Sequence, residues 1–370
     1  MKSKKYSVFL TVLFLVFIFG FAIAFWLVSD RGFSEQENRY LAQLKAPTLR
    51  TLKSGQFMKD FEDYVIDQFP LRDRWIQAKA WSERALGKQE NNGVYLGTDG
   101  QTLFAQYTAP TDLAKRVANV NALADNAGVP VTFALVPDKS YVWAARLPAN
   151  APLTDDGSAA REAASLCSDR VQWIDLYGLD WGDDSFYRTD HHWSTMGAAL
   201  AYQVLETALT GSAALPDGPL KLESDSFYGT TWSSAGAGWV KPDSIYTWVD
   251  GDGFTVTAYH TGAAQPGVLY DRSKLSVKDK YSMFLGGNQP LCVISNPEAS
   301  GGKLLVIRDS YADSLAPFLA QDWQEVHLWD LRYNLNSLKQ YIADNGIDQV
   351  LVLYSAANFA SDANLFLLGL

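Results

Sequence analysis

The sequence predicts an α/β protein: three layers around a parallel sheet of about five strands, a β- and loop-rich insertion, and one transmembrane helix at the N-terminus. Three observations carry this prediction. From Thr111 onward, short β-branched runs alternate with amphipathic stretches, the pattern of strands joined by crossover helices. Between about Gly211 and Gly302 that rhythm gives way to Gly, Trp, Tyr and Ser. Tyr6 to Val28 carries no charge and follows Lys2, Lys4 and Lys5.

Those 23 apolar residues would rise about 35 Å as a helix, enough to cross a bilayer. Lysines on the N-terminal side place that end in the cytoplasm and everything after Val28 outside, on the cell membrane's outer face. A cleaved signal peptide is the competing reading, because Ala22-Ile23-Ala24 fits a small-x-small site. The apolar run continues through Phe25, Trp26, Leu27 and Val28, which favours an uncleaved anchor.

Composition is that of a globular chain, with 370 residues, 48% hydrophobic and 19% charged. The 31 basic and 41 acidic residues leave a net charge of -10, so there is no electrostatic footprint for nucleic acid. Removing the first 28 residues takes three lysines and no acid, so the exported part stands at -13 and is repelled by anionic lipid. Cys167 and Cys292 lie in that part, where a disulfide and two buried free thiols are both open readings.

Taken in order, residues 29–110 read as a linker followed by a helical and hairpin extension. Ser29 to about Thr51 is polar and contains Pro47. Phe57 to Leu86 shows helical spacing, broken where Phe69-Pro70 removes a backbone donor. Asn91-Asn92-Gly93 and Asp99-Gly100 bracket VYLGT as a hairpin. Residues 111–370 form the α/β domain. Thr111 caps a helix with an apolar face of Leu113, Val117, Val120 and Leu123, which Gly128 stops before the strand Val131 to Val136. A helix over about Gly157 to Ser168 leads to the strand Val171 to Leu176, and Ser194 opens a helix to about Leu209. After the insertion come strand Leu304 to Ile307, a helix after Ser310, strand EVHLW, a helix over Asn336 to Ala343, and strand QVLVLY.

Two stretches beside strand-to-helix transitions could carry chemistry. Ser310 follows a buried-type strand and opens a helix, so its hydroxyl stands over the C-terminal end of the sheet, near helix N-terminal amides. A serine is a weak nucleophile without a base, and the base requires a carboxylate to hold its tautomer. Asp190-x-His192 supplies both, because residues two apart in extended backbone share a face; His191 then points elsewhere. Of the other histidines, His327 reads as a packed strand residue and His260 lacks an evident carboxylate pair. Asp190, His191 and His192 could alternatively ligate a metal, or Asp190 and His192 could merely stabilise a loop; no metal or cofactor is expected.

DHHW at Asp190 to Trp193 resembles the signature of the bacterial DHHW family, which belongs with the alginate O-acetylation proteins in the SGNH hydrolase superfamily. Glu37-Asn38-Arg39, Asp67 to Asp73 and Asn92 to Tyr95 also look like family segments, so the resemblance covers most of the exported chain. It implies an SGNH-like, flavodoxin-like fold and a triad of Asp190, His192 and Ser310, in the chain order of the permuted envelope acetyltransferases. One departure stands out: the Gly-Asp-Ser block is Arg308-Asp309-Ser310, placing a large cation where a glycine relieves crowding. Arg308 could meet an anionic substrate group or face solvent, and the solvent reading is favoured. Tyr311, Lys139, Asn358, His191 and Trp193 are secondary candidates for substrate or oxyanion contacts.

The resemblance implies a serine-dependent O-acetyltransferase or O-acetylesterase acting on an envelope or exopolysaccharide glycan, beside a membrane-bound O-acyltransferase that supplies acetyl groups. The insertion's aromatic residues would stack on the glycan, with Trp173, Trp181, Trp193, Trp232 and Trp239 in or near it. The alternative is a glycan-binding or scaffolding protein with a weak or inactive site, motivated by Arg308.

Overall fold

The computed structural model describes residues 4–106, 112–152, 155–260 and 262–370. They fall into two units: residues 1–88 with 236–238, and residues 89–235 with 239–370. Residues 89–106 thus cluster with the α/β unit, although the sequence groups them with the N-terminal extension.

In the first unit, the helix Lys4–Leu27 takes up the charge-free run from Tyr6 to Leu27 and is long and apolar enough to cross a membrane. The polar stretch after it is no loose linker. Phe33–Ser34 pairs with Arg39–Tyr40, and helices follow over Leu49–Lys53, Gln56–Asp67 and Arg72–Ala85, the last two separated at Phe69-Pro70 as the sequence predicts. Arg39 grips Asp67 at 2.5 Å, Ala42 N donates to the same carboxylate at 2.8 Å, and Arg72 pairs with Glu37. Two of the segments that carry the family resemblance thus hold each other in place.

The second unit contains an eight-stranded sheet. Its parallel strands are β1 (Val131–Val136), β2 (Val171–Ile174), β3 (Gly301–Arg308), β4 (Trp323–Trp329) and β5 (Gln349–Ser355), lying side by side in the order β4-β3-β5-β1-β2. Counted from β3 instead of β1, that order reads 2-1-3-4-5, the flavodoxin-like doubly wound arrangement begun at a different point in the chain. The insertion extends the sheet beyond β4 with antiparallel strands Leu291–Ser295, Thr255–Ala258 and Gln265–Pro266.

Alternation along the buried strands separates two cores. Leu304, Val306, Leu351 and Leu353 face helices Thr195–Thr210 and Ala312–Leu319, whereas Leu305, Ile307, Val350 and Val352 face helices Leu113–Ala127 and Leu338–Asn345. The cap expected at Thr111 lies outside the described residues. At the other end of that helix, Gly128 takes the left-handed conformation (φ 71°) that a residue with a side chain disfavours. Ser194 caps Thr195–Thr210 by accepting from the amides of Met196 and Gly197. A three-stranded sheet over Glu90–Asn91, Val94–Leu96 and Leu103–Ala105 replaces the single hairpin expected there.

Cys167 and Cys292 are both free thiols, which resolves the open question in favour of the unbonded reading. Burial pushes Cys292 up to about 12. Denatured protein should therefore take up two maleimide groups without prior reduction, Cys292 reacting only after unfolding. An electrophoretic mobility that changes on reduction would contradict this.

Candidate active site

The turn after β3 is built around one buried carboxylate. Asp309 Oδ2 accepts from Ser355 N at 2.8 Å, Ser355 Oγ at 2.6 Å and Asn358 Nδ2 at 2.8 Å, and Oδ1 accepts from Tyr311 N at 3.0 Å. It ties the ends of β3 and β5 together where the direction of strand succession reverses, which is where ligands bind in doubly wound sheets. Ser310 lies between these anchors.

The partners of Ser310 come from the loop after β2. Ser310 Oγ and His192 Nε2 are 2.7 Å apart, and His192 Nδ1 and Asp190 Oδ1 are 2.5 Å apart. With Nδ1-H donating to the carboxylate, Nε2 is left to accept from the serine hydroxyl. Asp190 Oδ1 also accepts from His192 N at 3.0 Å, and Oδ2 accepts from Thr230 N at 2.7 Å and Thr230 Oγ1 at 3.0 Å. Burial opposes the charge on Asp190, but the facing histidines and these donors hold its carboxyl well below the usual range. The Tyr281 ring stacks on His192 at 3.9 Å and 9°, and its hydroxyl donates to Ser310 O at 3.0 Å. The imidazole has one orientation.

A cavity of about 240 Å³ opens in front of Ser310, lined also by Thr230, Asp279, Ser282, Asn288, Arg332 and Asn358. Asn288 Oδ1 accepts from Arg308 Nη1 at 3.2 Å and from Arg332 Nη2 at 3.4 Å, which fixes the amide's orientation and assigns Nδ2 the donor role. A larger cleft of about 510 Å³ lies elsewhere along the same loop, lined by Arg188, Thr195, Asp243 and Tyr246, without the serine.

The secondary candidates part company. Asn358 lines the cavity but commits its side-chain amide to Asp309. His191 lies at the rim, 2.9 Å from Thr230 Oγ1. Trp193 is wholly buried, its indole donating to Tyr311 O and Ser314 Oγ, so it cannot meet substrate. Tyr311 is buried too and donates its hydroxyl to His191 O. Lys139 lies under the loop instead of in the cavity, donating to three backbone carbonyls. Burying an ammonium costs several kcal/mol, which charge-assisted hydrogen bonds of about 1.5–3 kcal/mol each offset.

The solvent-facing reading of Arg308 is overturned. Its side chain is 0% exposed and pairs with Asp313 at 2.9 Å. Asp313 lines the cavity while Arg308 does not, and burial lifts Asp313 to about 6 in spite of the guanidinium. The aromatic expectation also narrows: none of the five tryptophans lines the cavity, Trp173 packs edge-on against Phe133, Trp181 stacks on Trp193, and Trp232 lies two residues from the lining residue Thr230. Asp190, His191 and His192 offer ligand atoms within 4.8 Å of one another, but Asp190 Oδ1 and His192 Nδ1 are bonded to each other. Tyr281, Asn288 and Arg332 escaped the sequence reading, since nothing in their local spacing marks them. Asp309 was legible only as the neighbour of Ser310.

The flavodoxin-like sheet, with a serine, a histidine and an aspartate in hydrogen-bond succession at its switch point, is an SGNH-like fold. Residues 98–232 match a family model described as the SGNH hydrolase-like domain of the acetyltransferase AlgX, and residues 175–329 match one described as DHHW protein. Over those residues the chain is similar to the DHHW proteins, and it resembles the alginate O-acetyltransferases. It is 26% identical over 184 residues to a protein of Pseudomonas putida described as "Probable alginate O-acetylase AlgJ", covering 46% of this chain and 47% of that one. The chain thus spans about half the length of the curated relative it matches. A DHHW family protein from Eubacterium siraeum shares the fold with a TM-score of 0.65 at 21% identity, over 75% of this chain and 95% of that one. Bacillus cereus PatB1, solved with a sulfonyl adduct, does so with a TM-score of 0.61 at 22% identity, over 74% and 97%.

A Cβ at Gly229 would fall 2.2 Å from Asp190. Gly229→Ala should displace that carboxylate and slow labelling of Ser310 by a fluorophosphonate at least about tenfold, while Asp190→Asn should slow it about 10³- to 10⁴-fold. Parent-like labelling rates in both would show that the carboxylate does not orient His192.

Proposed function

We propose that this chain transfers an acetyl group through Ser310 to or from a hydroxyl of an extracytoplasmic glycan. The observation that carries the reading is the hydrogen-bonded succession Asp190, His192, Ser310 opening into a cavity. Ser310 Oγ attacks the acetyl carbonyl carbon while His192 Nε2 takes the hydroxyl proton. Asp190 steadies the imidazolium that results. The negative charge forming on the carbonyl oxygen is met by Asn288 Nδ2 and the Ser310 amide. Collapse expels the donor's alkoxide, which leaves as the alcohol by taking from His192 the proton that came from Ser310, and an acetyl-serine remains. An acceptor hydroxyl then gives His192 its proton, attacks the acetyl group and frees Ser310. A sugar hydroxyl as acceptor makes a transferase, and water makes an esterase.

Tyr228 and Trp232 flank Thr230, their rings 4.5 Å apart, with Lys278 Nζ 4.3 Å from the Trp232 ring. They suit one sugar ring beside the cavity better than the broad aromatic surface expected from composition. The apolar helix Lys4–Leu27, with lysines on its N-terminal side, would hold the domain outside the cell membrane. There a membrane-bound O-acyltransferase would deliver acetyl groups. The scaffold reading rested on Arg308. Because that side chain is buried against Asp313 and leaves the Ser310 hydroxyl facing the cavity, we favour the enzyme.

The parent should label with a fluorophosphonate and hydrolyse a small acetyl ester, and Ser310→Ala should do neither. A parent that does neither, or Ser310→Ala behaving like the parent, ends the enzyme reading. With oligosaccharide acceptors, Trp232→Ala should raise the acceptor KM about three- to tenfold. An unchanged acceptor KM would remove the stacking role.

A further inference from the structure

The loop that presents His192 has no regular secondary structure, so its carbonyls need partners from elsewhere. Each carbonyl from Tyr187 to His192 has one. Thr189 O accepts from Trp232 N at 2.9 Å, His191 O from the Tyr311 hydroxyl, and His192 O from Tyr187 N at 3.2 Å. The other three converge on a single cation. Lys139 Nζ lies 3.0 Å from Tyr187 O, 3.1 Å from Arg188 O and 2.5 Å from Asp190 O, and the side chain is 2% exposed. Arg188 O has a second donor in Leu103 N at 3.0 Å, but Tyr187 O and Asp190 O have no other donor among the described residues.

We propose that Lys139 is the positioning residue of this site: its buried ammonium, standing just past β1, gathers the carbonyls of Tyr187, Arg188 and Asp190 and so fixes His192 against Ser310. An ammonium has three donors and no acceptor, and here each donor has one carbonyl. No neutral side chain of this length supplies that set. Methionine matches its reach without donors. Arginine keeps the charge, but its planar fork does not converge on one point as three N-H bonds from a single nitrogen do.

The arrangement is sensitive to pH. Burial lowers Lys139 to about 8, against the upward pull of Asp190, Asp243 and Asp138 and with a smaller downward push from Arg188. The Phe104 ring faces the ammonium at 5.9 Å, and Asp243 draws the Arg188 guanidinium to 3.1 Å. Below about pH 8 the ammonium serves all three carbonyls. Above it, an amine has two N-H bonds and a lone pair, so one carbonyl loses its donor and the loop loosens.

The test uses the full chain and two readouts, amide hydrogen exchange over residues 187–192 and the rate of fluorophosphonate labelling at Ser310. Only the second depends on the proposed reaction. In Lys139→Met that retains the parent's circular dichroism, the amides of Tyr187, Thr189 and His192 should exchange at least about tenfold faster, and labelling should slow about 10- to 100-fold. Lys139→Arg should recover part of both. The parent's labelling rate should fall as pH rises through about 8, and that limb should be absent from both variants. Folded Lys139→Met with parent-like loop exchange overturns the proposal. Should Lys139→Met fail to fold, the pH dependence of loop exchange in the parent, compared with Lys139→Arg, decides it: no loosening above about pH 8 overturns it. A parent that never labels defeats the enzyme reading, while loop exchange still decides the role of Lys139.

Discussion

Buried backbone groups must find hydrogen-bond partners, and the whole site is organised around that requirement. At the C-terminal edge of a parallel sheet the strands stop pairing and their ends lie beside a cavity. The chain meets the need with two buried charges of opposite sign. The Asp309 carboxylate collects donors from the ends of β3 and β5, and the Lys139 ammonium serves carbonyls of the loop after β2. Each charge turns a flexible stretch into a fixed position. The first ties down the strand ends on either side of Ser310, and on our proposal the second steadies the loop whose His192 lies 2.7 Å from it.

Topology explains why such anchors are needed. The histidine precedes the serine by 118 residues, and the insertion lies between them. Starting the doubly wound arrangement at a different strand reverses the chain order of the site without changing its spatial order, because β3, β5, β1 and β2 stay neighbours. The insertion also serves the site. It completes one edge of the sheet and returns Thr230 and Tyr281 to the Asp190 and His192 side chains.

Arg308 shows how a residue that looks disruptive is accommodated. A large cation beside the candidate nucleophile suggests crowding or a substrate contact, yet β3 ends with this side chain turned into the core, against Asp313 and Asn288. A lone buried charge would be prohibitive, but one paired within 2.9 Å and sharing an asparagine can be carried, and the pair orients the Asn288 amide at the cavity. The same logic removes Trp193 from the substrate side. An indole flanked by Tyr311 O and Ser314 Oγ packs the floor of the site.

By itself the sequence determined what depends on near neighbours. An uncharged run makes an apolar helix, period-two and helical patterning make the layers, Ser194 and Gly128 end or begin helices, and an acid two residues before a histidine can share its face. These follow from rules that act over a few residues, and they made Asp190, His192 and Ser310 legible. Only the tertiary structure decided which distant groups meet: Tyr281 on His192, Thr230 on Asp190, Asn288 between two arginines, and Lys139 beneath the loop instead of in the cavity. Burial decided the rest. The same arginine or tryptophan reads alike in sequence whether it faces solvent or core, because strand order sets which neighbours surround it.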